Sequence, residues 1–195
     1  KNTDNDYAIY YDFSGNKLND FPDLFLAFQL INAPVETFNF ENCNMNEESI
    51  IAFFEAFSEN ENLWDIGEIL LAGNYLNENC IGLLINLINE FVKAENFNLI
   101  SLSFGPVQNF EKLTLMIDCC EQPFEHLRFY SIKIMPDSAY DLCRYFARTK
   151  TLKNVEFIDC EIEDESFQQI LHAFSENKNI SHLSLNLSGC KLSGT

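Results

Sequence analysis

An eleven-residue frame recurs along this chain, and its recurrence limits the possible folds more than any other feature. Its clearest copy is Ile66-Gly-Glu-Ile-Leu-Leu-Ala-Gly-Asn-Tyr-Leu76, apolar at positions one, four, six and eleven, with asparagine at position nine. Positions four and six flank a single residue, so in a short strand they point the same way and enter one core. An Asn or Cys at position nine turns the chain, its polar side chain meeting backbone groups that a tight turn leaves unpaired. Position eleven starts a return path that the following residues make helical. One such unit cannot bury its own apolar face, so several must stack.

The first copy, Ala8-Ile-Tyr-Tyr-Asp-Phe-Ser-Gly-Asn-Lys-Leu18, puts Tyr11 and Phe13 in the strand and Asn16 at the turn. Pro22 opens a helix with the face Leu24, Ala27, Phe28 and Ile31, and Pro34 ends it. The second, Val35-Glu-Thr-Phe-Asn-Phe-Glu-Asn-Cys-Asn-Met45, leads to a helix over 47–58 that buries Ile50, Phe53, Phe54 and Phe57 behind an Asn46 N-cap. The third is followed by a helix over 78–92 with Leu84, Leu87, Ile88 and Phe91 aligned. The fourth is degenerate: Leu99, Leu102 and Phe104 keep the strand, Gly105-Pro106-Val107 replaces the Asn turn, and a helix runs over 110–120. The fifth, 124–134, has Ile132 at the turn and a helix burying Ala139, Leu142, Cys143 and Phe146. The sixth, 152–162, precedes a helix carrying Phe167, Ile170, Leu171 and Phe174. A seventh strand falls at 180–187, with a small insertion before Ser188-Gly-Cys-Lys-Leu192.

Position four then falls at residues 11, 38, 69, 102, 127, 155 and 183. Copies two and six overlay at one offset of 117 residues, Ala56-Phe-Ser-Glu-Asn60 on Ala173-Phe-Ser-Glu-Asn177, which argues for internal duplication.

The frame fits the leucine-rich repeat signature L-x-x-L-x-L-x-x-N/C-x-L. Repeats near 28 residues with a helix apiece resemble its ribonuclease-inhibitor class, and the resemblance covers essentially the whole chain. It implies an α/β fold: a solenoid, or horseshoe, of about seven repeats with a parallel concave β-sheet and convex helices, in a single domain over 1–195. The chain has no initiator Met and stops at Leu192-Ser-Gly-Thr195, where a further helix is due, so we read it as a fragment of a longer array. Asp12-Phe-Ser-Gly-Asn-Lys-Leu18, Leu187-Ser-Gly-Cys-Lys-Leu192 and the recurring Ala-Phe-Ser-Glu-Asn resemble the repeats of CARMIL-type actin regulators. Those are large cytosolic scaffolds acting near membranes and actin. Tropomodulin, whose repeat domain caps actin, is similar in the same way. The resemblance implies a cytoplasmic, cytoskeletal setting with the membrane involved only indirectly.

Composition narrows the function classes. Hydrophobic residues make up 47%, with 7 Gly and 5 Pro, so the chain is ordered. The 19 Phe mostly occupy positions where the frame expects Leu, and we read them as core. A net charge of −18 argues against nucleic acid or an anionic membrane as partners of the whole surface. It suits a basic protein, or simply solubility. The seven Cys show no metal spacing. Cys43, Cys160 and Cys190 fill position nine, Cys80 and Cys143 fall in helices, and Cys119 adjoins Cys120, which together suit a reducing cytoplasm. Asn179-Ile-Ser181 and Asn186-Leu-Ser188 match a glycosylation pattern but are expected in a strand. No signal peptide opens the chain, and no apolar run reaches the roughly twenty residues of a membrane span.

The phosphate-loop, zinc-protease and nucleophile-elbow patterns are all missing, and His126, His172 and His182 lie far apart in the repeat plan. The expectation is a protein that is not an enzyme and needs no metal or cofactor. The informative surface is the strand face opposite positions four and six. It carries Tyr10, Asp12, Ser14, Thr37, Asn39, Glu41, Glu68, Leu70, Ala72, Ser101, Ser103 and Gly105, then His126, Arg128, Tyr130, Asn154, Glu156 and Ile158, all expected to reach solvent. Tyr, Arg and His are common in binding hot spots, so His126, Arg128 and Tyr130, with Asn154 and Glu156 beside them, form the first candidate partner site. The competing reading is a simple pair between Arg128 and Glu156 one strand over. Residues 128–153 hold six of the 12 Lys and Arg against Asp137 and Asp141, a local +4. Arg144 and Arg148 share a helical face, either as a site for an acidic partner or as cations at a helix C-terminus. Three function classes follow: a protein-interaction scaffold, an inhibitor that sequesters a basic protein, and a GTPase activator like RanGAP, for which no catalytic loop is found. Self-association through an open end of the array is a fourth expectation.

Overall fold

The computed structural model describes residues 9–20, 23–91, 99–119 and 124–192. Pro22, Val92, the Phe91 side chain and Cys120, all used above, lie outside what it describes. The fold is α/β. Strands β1 (Ile9–Asp12), β2 (Val35–Asn39), β3 (Glu68–Leu70), β4 (Ser101–Phe104) and β5 (His126–Tyr130) alternate with helices α1 (Leu24–Phe28), α2 (Glu47–Glu59), α3 (Glu78–Phe91) and α4 (Phe110–Cys119). After β5 come the short β6 (Lys133–Ile134), α5 (Pro136–Arg148), β7 (Asn154–Ile158), β8 (Glu161–Ile162), α6 (Asp164–Glu176), β9 (Ser184–Asn186) and β10 (Lys191–Leu192).

Seven strands form one parallel sheet in strict chain order, β1-β2-β3-β4-β5-β7-β9, and β10-β8-β6 form a second, smaller parallel sheet at the turns. Every step to the next strand passes through a helix. Parallel crossovers have one hand, so successive helices fall on the same side of the sheet and pack neighbour on neighbour. The other side stays open, and β5 and β7 accordingly alternate between half-buried and buried residues.

Register puts Tyr11, Phe38, Ile69, Leu102, Leu127 and Val155 side by side, as position four requires. The next residue in that row is Leu185, not Leu183. The seventh copy therefore runs 182–192 without an insertion, and the extra length lies in the loop before it. Position six stacks phenylalanines: Phe13 on Phe40 at 5.3 Å and Phe129 on Phe157 at 5.2 Å between centroids. Every phenylalanine with a described side chain is buried or half-buried, so the aromatic content fills the core.

Position nine works as its chemistry demands. Cys43 Sγ donates to the Phe13 carbonyl at 2.9 Å, Asn74 Nδ2 to the Phe40 carbonyl at 2.6 Å, and Cys190 Sγ to the Phe157 carbonyl at 3.1 Å, each tying a turn to the unit before it. Position eight is left-handed in six copies, at Gly15, Asn42, Gly73, Ser131, Asp159 and Gly189. The duplicated Ala-Phe-Ser-Glu-Asn ends in the same device twice. Asn60 Nδ2 donates to the Phe28 and Ile31 carbonyls, both at 2.8 Å, and Asn177 Nδ2 donates to those of Phe146 and Thr149 at 2.6 and 2.8 Å. Each buried asparagine thus satisfies carbonyls at or just past the end of the preceding helix. Asn46 caps α2 as expected, accepting from the Ser49 amide at 2.9 Å.

Several helix faces differ from the periodicity. The first helix spans only five residues and buries Phe25 and Phe28, while Ala27 is exposed and Leu24 and Ile31 are half-buried. In α5 Tyr145 is buried as well as the expected Phe146, and Cys143 is half-buried. In α6, Ile170 and Ala173 are buried, Phe167 and Phe174 half-buried, and Leu171 is exposed, because no further helix covers that side among the described residues. Asn179 lies in an exposed loop, not in a strand, whereas Asn186 is in β9.

Burial also sets cysteine reactivity. It pushes the Cys143 and Cys160 thiols up to about 11, while Cys119 is exposed. Iodoacetamide at about pH 8 is expected to label Cys119 early and Cys43, Cys80 and Cys160 only after denaturation. Tandem mass spectrometry of timed samples checks this, and early labelling of Cys80 would contradict the burial described. Among the described residues no helix is long and apolar enough to cross a membrane.

Candidate functional site

The open face is organised by register. One row runs Tyr10, Thr37, Glu68, Ser101, His126, Asn154 and Ser184, and the next runs Asp12, Asn39, Leu70, Ser103, Arg128, Glu156 and Asn186. Position five often secures the following bend itself. Asp12, Asn39 and Asn186 each accept from the amide two residues on, at 2.9 to 3.0 Å.

Arg128 is the centre of this surface. Its Nε meets Glu156 Oε2 at 3.1 Å, as residue spacing suggested, and its Nη1 meets Glu41 Oε1 at 3.0 Å. Glu41 sits just past β2, three strand spacings from β5, or about 14 Å of sheet. Two side chains cover that width only by lying along the face, so the pair forms a strap across β3 and β4. Beneath it Ser103 is fully buried. Its hydroxyl accepts from the Leu71 and Ala72 amides at 3.0 and 3.1 Å and donates to Glu41 at 3.2 Å. The face also differs from expectation elsewhere: Thr37, Ala72, Ser101 and Gly105 are buried, like Ser103, rather than solvent-facing.

Electrostatics hold the strap charged. Burial opposes the Arg128 charge, but the hydrogen bond and charge of Glu156, with Glu41 behind, outweigh it and raise the guanidinium's pKa. For Glu156 burial also opposes ionisation, and hydrogen bonds from Asn154, at 2.8 Å, and Arg128 outweigh it, so its pKa falls below the ordinary 4.5. A carboxylate depressed on folding adds stability that is present above the ordinary value and lost as pH falls through the lower folded one. Stability is therefore expected to drop below about pH 4.5, and Glu156→Gln to flatten that limb by under about 1 kcal/mol, since Arg128 keeps a third of its side chain in water. Urea titrations at stepped pH test it, and an unchanged acid limb would contradict the assignment.

A hollow of about 200 Å³ opens beside the strap, lined by Glu68, Ser101, Ser103, His126, Arg128, Asn154 and Glu156. A smaller one, on the far side of Arg128, includes Glu41, Tyr130 and Ile158. A hydrogen bond and the charge of Asp159 push the Tyr130 phenol upward. His126, Arg128, Tyr130, Asn154 and Glu156 are thus brought together on one polar surface. Its exposed aromatic, Tyr10, stands at the β1 edge, 66% exposed.

Arg144 and Arg148 are not part of it. Both lie on α5, on the helical side, where they close on one carboxylate of α4. Asp118 Oδ2 is 3.2 Å from Arg144 Nη2, and Asp118 Oδ1 is 3.4 Å from Arg148 Nε, with the Asp118 carbonyl accepting from Arg148 as well. The Asp118 side chain is 4% exposed. Most of the basic run is neutralised in this way, Lys133 by Glu161 and Glu163 and Lys153 by Glu125 at 2.6 Å, while Lys150 is exposed. Asp118, Glu125, Glu161 and Glu163 all lie outside 128–153, so counting charge along the chain missed them.

Among the described residues no group of three or more His, Cys, Asp or Glu is placed to hold a metal ion. No protein-family model matches the chain, and a search of the curated proteins finds no match either.

Proposed function

We propose that this chain is a non-enzymatic protein-interaction scaffold of leucine-rich repeats that takes a protein partner on its open sheet face, around His126, Arg128, Tyr130, Asn154 and Glu156. One observation carries the reading. Parallel sheets are ordinarily covered on both sides, and among the described residues this one has helices on one side only, with a fixed polar strap on the other. A surface of locked, mutually neutralising side chains loses little entropy when a partner docks. In the finer reading the array is a horseshoe with this face concave, cytoplasmic, and CARMIL-like in serving actin regulation. The shared phrases around Asp12 and Leu187 support that, with contact to membranes only through other parts of the assembly.

A second reading has its own support. The face carries Asp12, Glu41, Glu68 and Glu156 against Arg128 alone, net −3 on a chain of −18, which favours an inhibitor that sequesters a basic protein. Self-association draws on the exposed Leu171 and Leu192. Capture from cytosol separates these outcomes. A His126→Ala, Tyr130→Ala face variant is expected to lose actin-associated proteins that the parent and a Tyr140→Ala variant on the helical side both retain. Salt-sensitive capture of one basic protein would favour the inhibitor, and stimulated GTP hydrolysis would contradict the non-enzymatic reading.

A further inference from the structure

Where the frame degenerates, the row of short turn strands breaks, and the break opens a groove away from the face described above. On one side of it the turn of the third copy pairs with the fourth through the bridge between Leu76 and Val107. On the other side β6, β8 and β10 pair in order. The fourth and fifth copies do not join in this row, although β4 and β5 pair normally a few residues earlier.

The hydrogen-bond phase explains the break. Leu76 donates to the Pro106 carbonyl at 3.0 Å and accepts from the Gln108 amide at 2.8 Å, so the residues flanking Val107 face the third copy. In a parallel ladder alternate residues face alternate neighbours, which turns the N–H and C=O of Val107 toward the fifth copy. On the opposite bank Glu161 and Glu163 donate to the Ile132 and Ile134 carbonyls at 3.0 and 3.2 Å, so the residues flanking Lys133 face the sixth copy. The N–H and C=O of Lys133 are thereby turned back toward Val107. Two residues in the same phase cannot bond each other, and among the described residues neither main-chain pair has a hydrogen-bond partner.

The space between them measures about 430 Å³, and its mostly polar lining sets Gln108, Asn109, Ser131 and Lys133 beside Val107 and Met135. That volume lies within the range of ligand sites. The Lys133 ammonium is already drawn to Glu161 and Glu163 at 3.8 and 3.9 Å, so the groove offers main-chain and polar side-chain hydrogen bonds more than free charge.

We propose that this groove binds an extended peptide segment of a partner protein, which enters as an extra strand between Val107 and Lys133. An extended main chain is the ligand that fits both banks, because it alternates N–H and C=O on its two edges at about 3.3 Å per residue. Its side chains, at every second position, project among Val107, Met135 and the polar Gln108, Asn109 and Ser131. The site is separate from the open face, so either stands if the other fails.

The test uses a displayed library of random heptapeptides selected on the parent chain, with the most enriched peptide synthesised as the probe. Enriched peptides share a preference at every second position, and the probe slows amide exchange at Val107 and Lys133 at least tenfold. Lys133→Pro removes the groove-facing N–H at an edge position where proline is tolerated, and weakens the probe at least tenfold, while Lys133→Ala leaves it unchanged. Should Lys133→Pro not fold, the exchange result on the parent decides. No enrichment, protection confined to β5 and β7, or equal binding by a folded Lys133→Pro would overturn the proposal.

Discussion

Phe53→Ala is expected to cost about 3–5 kcal/mol of stability. Phe53 is fully buried in α2, with its ring 4.8 Å from Phe40, 5.5 Å from Phe38 and 6.1 Å from Phe28. It also touches Phe25, Phe54 and Phe57. Rings on three sides are rigid and already packed, so the vacated volume stays largely empty. Edge-to-face contacts with Phe28, Phe38 and Phe40 are lost as well. A domain of this size holds only about 5–15 kcal/mol in total, so the variant sits near its folding limit at ambient temperature. Urea denaturation gives the value, and a loss under about 1 kcal/mol would mean that the cluster does not pack as described.

Gly105→Ala is expected to cost at least about 3 kcal/mol, from two sources that add. Gly105 adopts φ +118°, a region that side chains rarely enter, and a Cβ there would run into the main-chain carbonyl of Tyr130. The obstacle is backbone of the neighbouring strand and cannot rotate away. Gly15 is the control. It is also left-handed, at φ +73°, but has open space around the Cβ position, so Gly15→Ala should cost only the conformational strain of about 1–2 kcal/mol. Equal losses at the two sites would remove the steric argument. Because Tyr130 adjoins the strap, the Gly105 variant is also expected to weaken any binding that depends on the open face.

Much of the fold was legible because the frame couples two periodicities. Positions four and six set the strand face, and position nine fixes where the strand stops. The predicted register agrees with the observed one in the first six copies, including the fourth and fifth, where Val107 and Ile132 replace the polar residue at position nine. The seventh failed for an identifiable reason. Leu183, Leu185 and Leu187 alternate with polar residues, so a period of two cannot say which leucine is position four, and only counting back from Cys190 does. The first helix failed similarly, since Leu24-Phe-Leu-Ala-Phe28 is apolar at every residue and offers no contrast from which to choose a face.

The candidate site was half legible. Arg128 and Glu156 are opposite residues on neighbouring strands, a relation that follows directly from register. Glu41 is 87 residues from Arg128, and nothing local says that both side chains lie across the intervening strands. The burial of Ser103 follows from that strap and was missed with it. Arg144 and Arg148 were placed correctly on one helical face, but Asp118 belongs to another helix, and which carboxylate faces them depends on how α4 and α5 pack. Spacing within an element was readable, and contact between elements was not.

The central claim is that the open sheet face, not the helical side, takes the partner. Hydroxyl-radical footprinting of the chain alone and in its captured complex tests it most directly, because Tyr10, His126 and Tyr130 report on the face and Tyr140, 62% exposed on α5, reports on the other side. The account predicts that the complex shields Tyr10, His126 and Tyr130 at least several-fold and leaves Tyr140 unchanged. Shielding of Tyr140 with the face residues still open would contradict it.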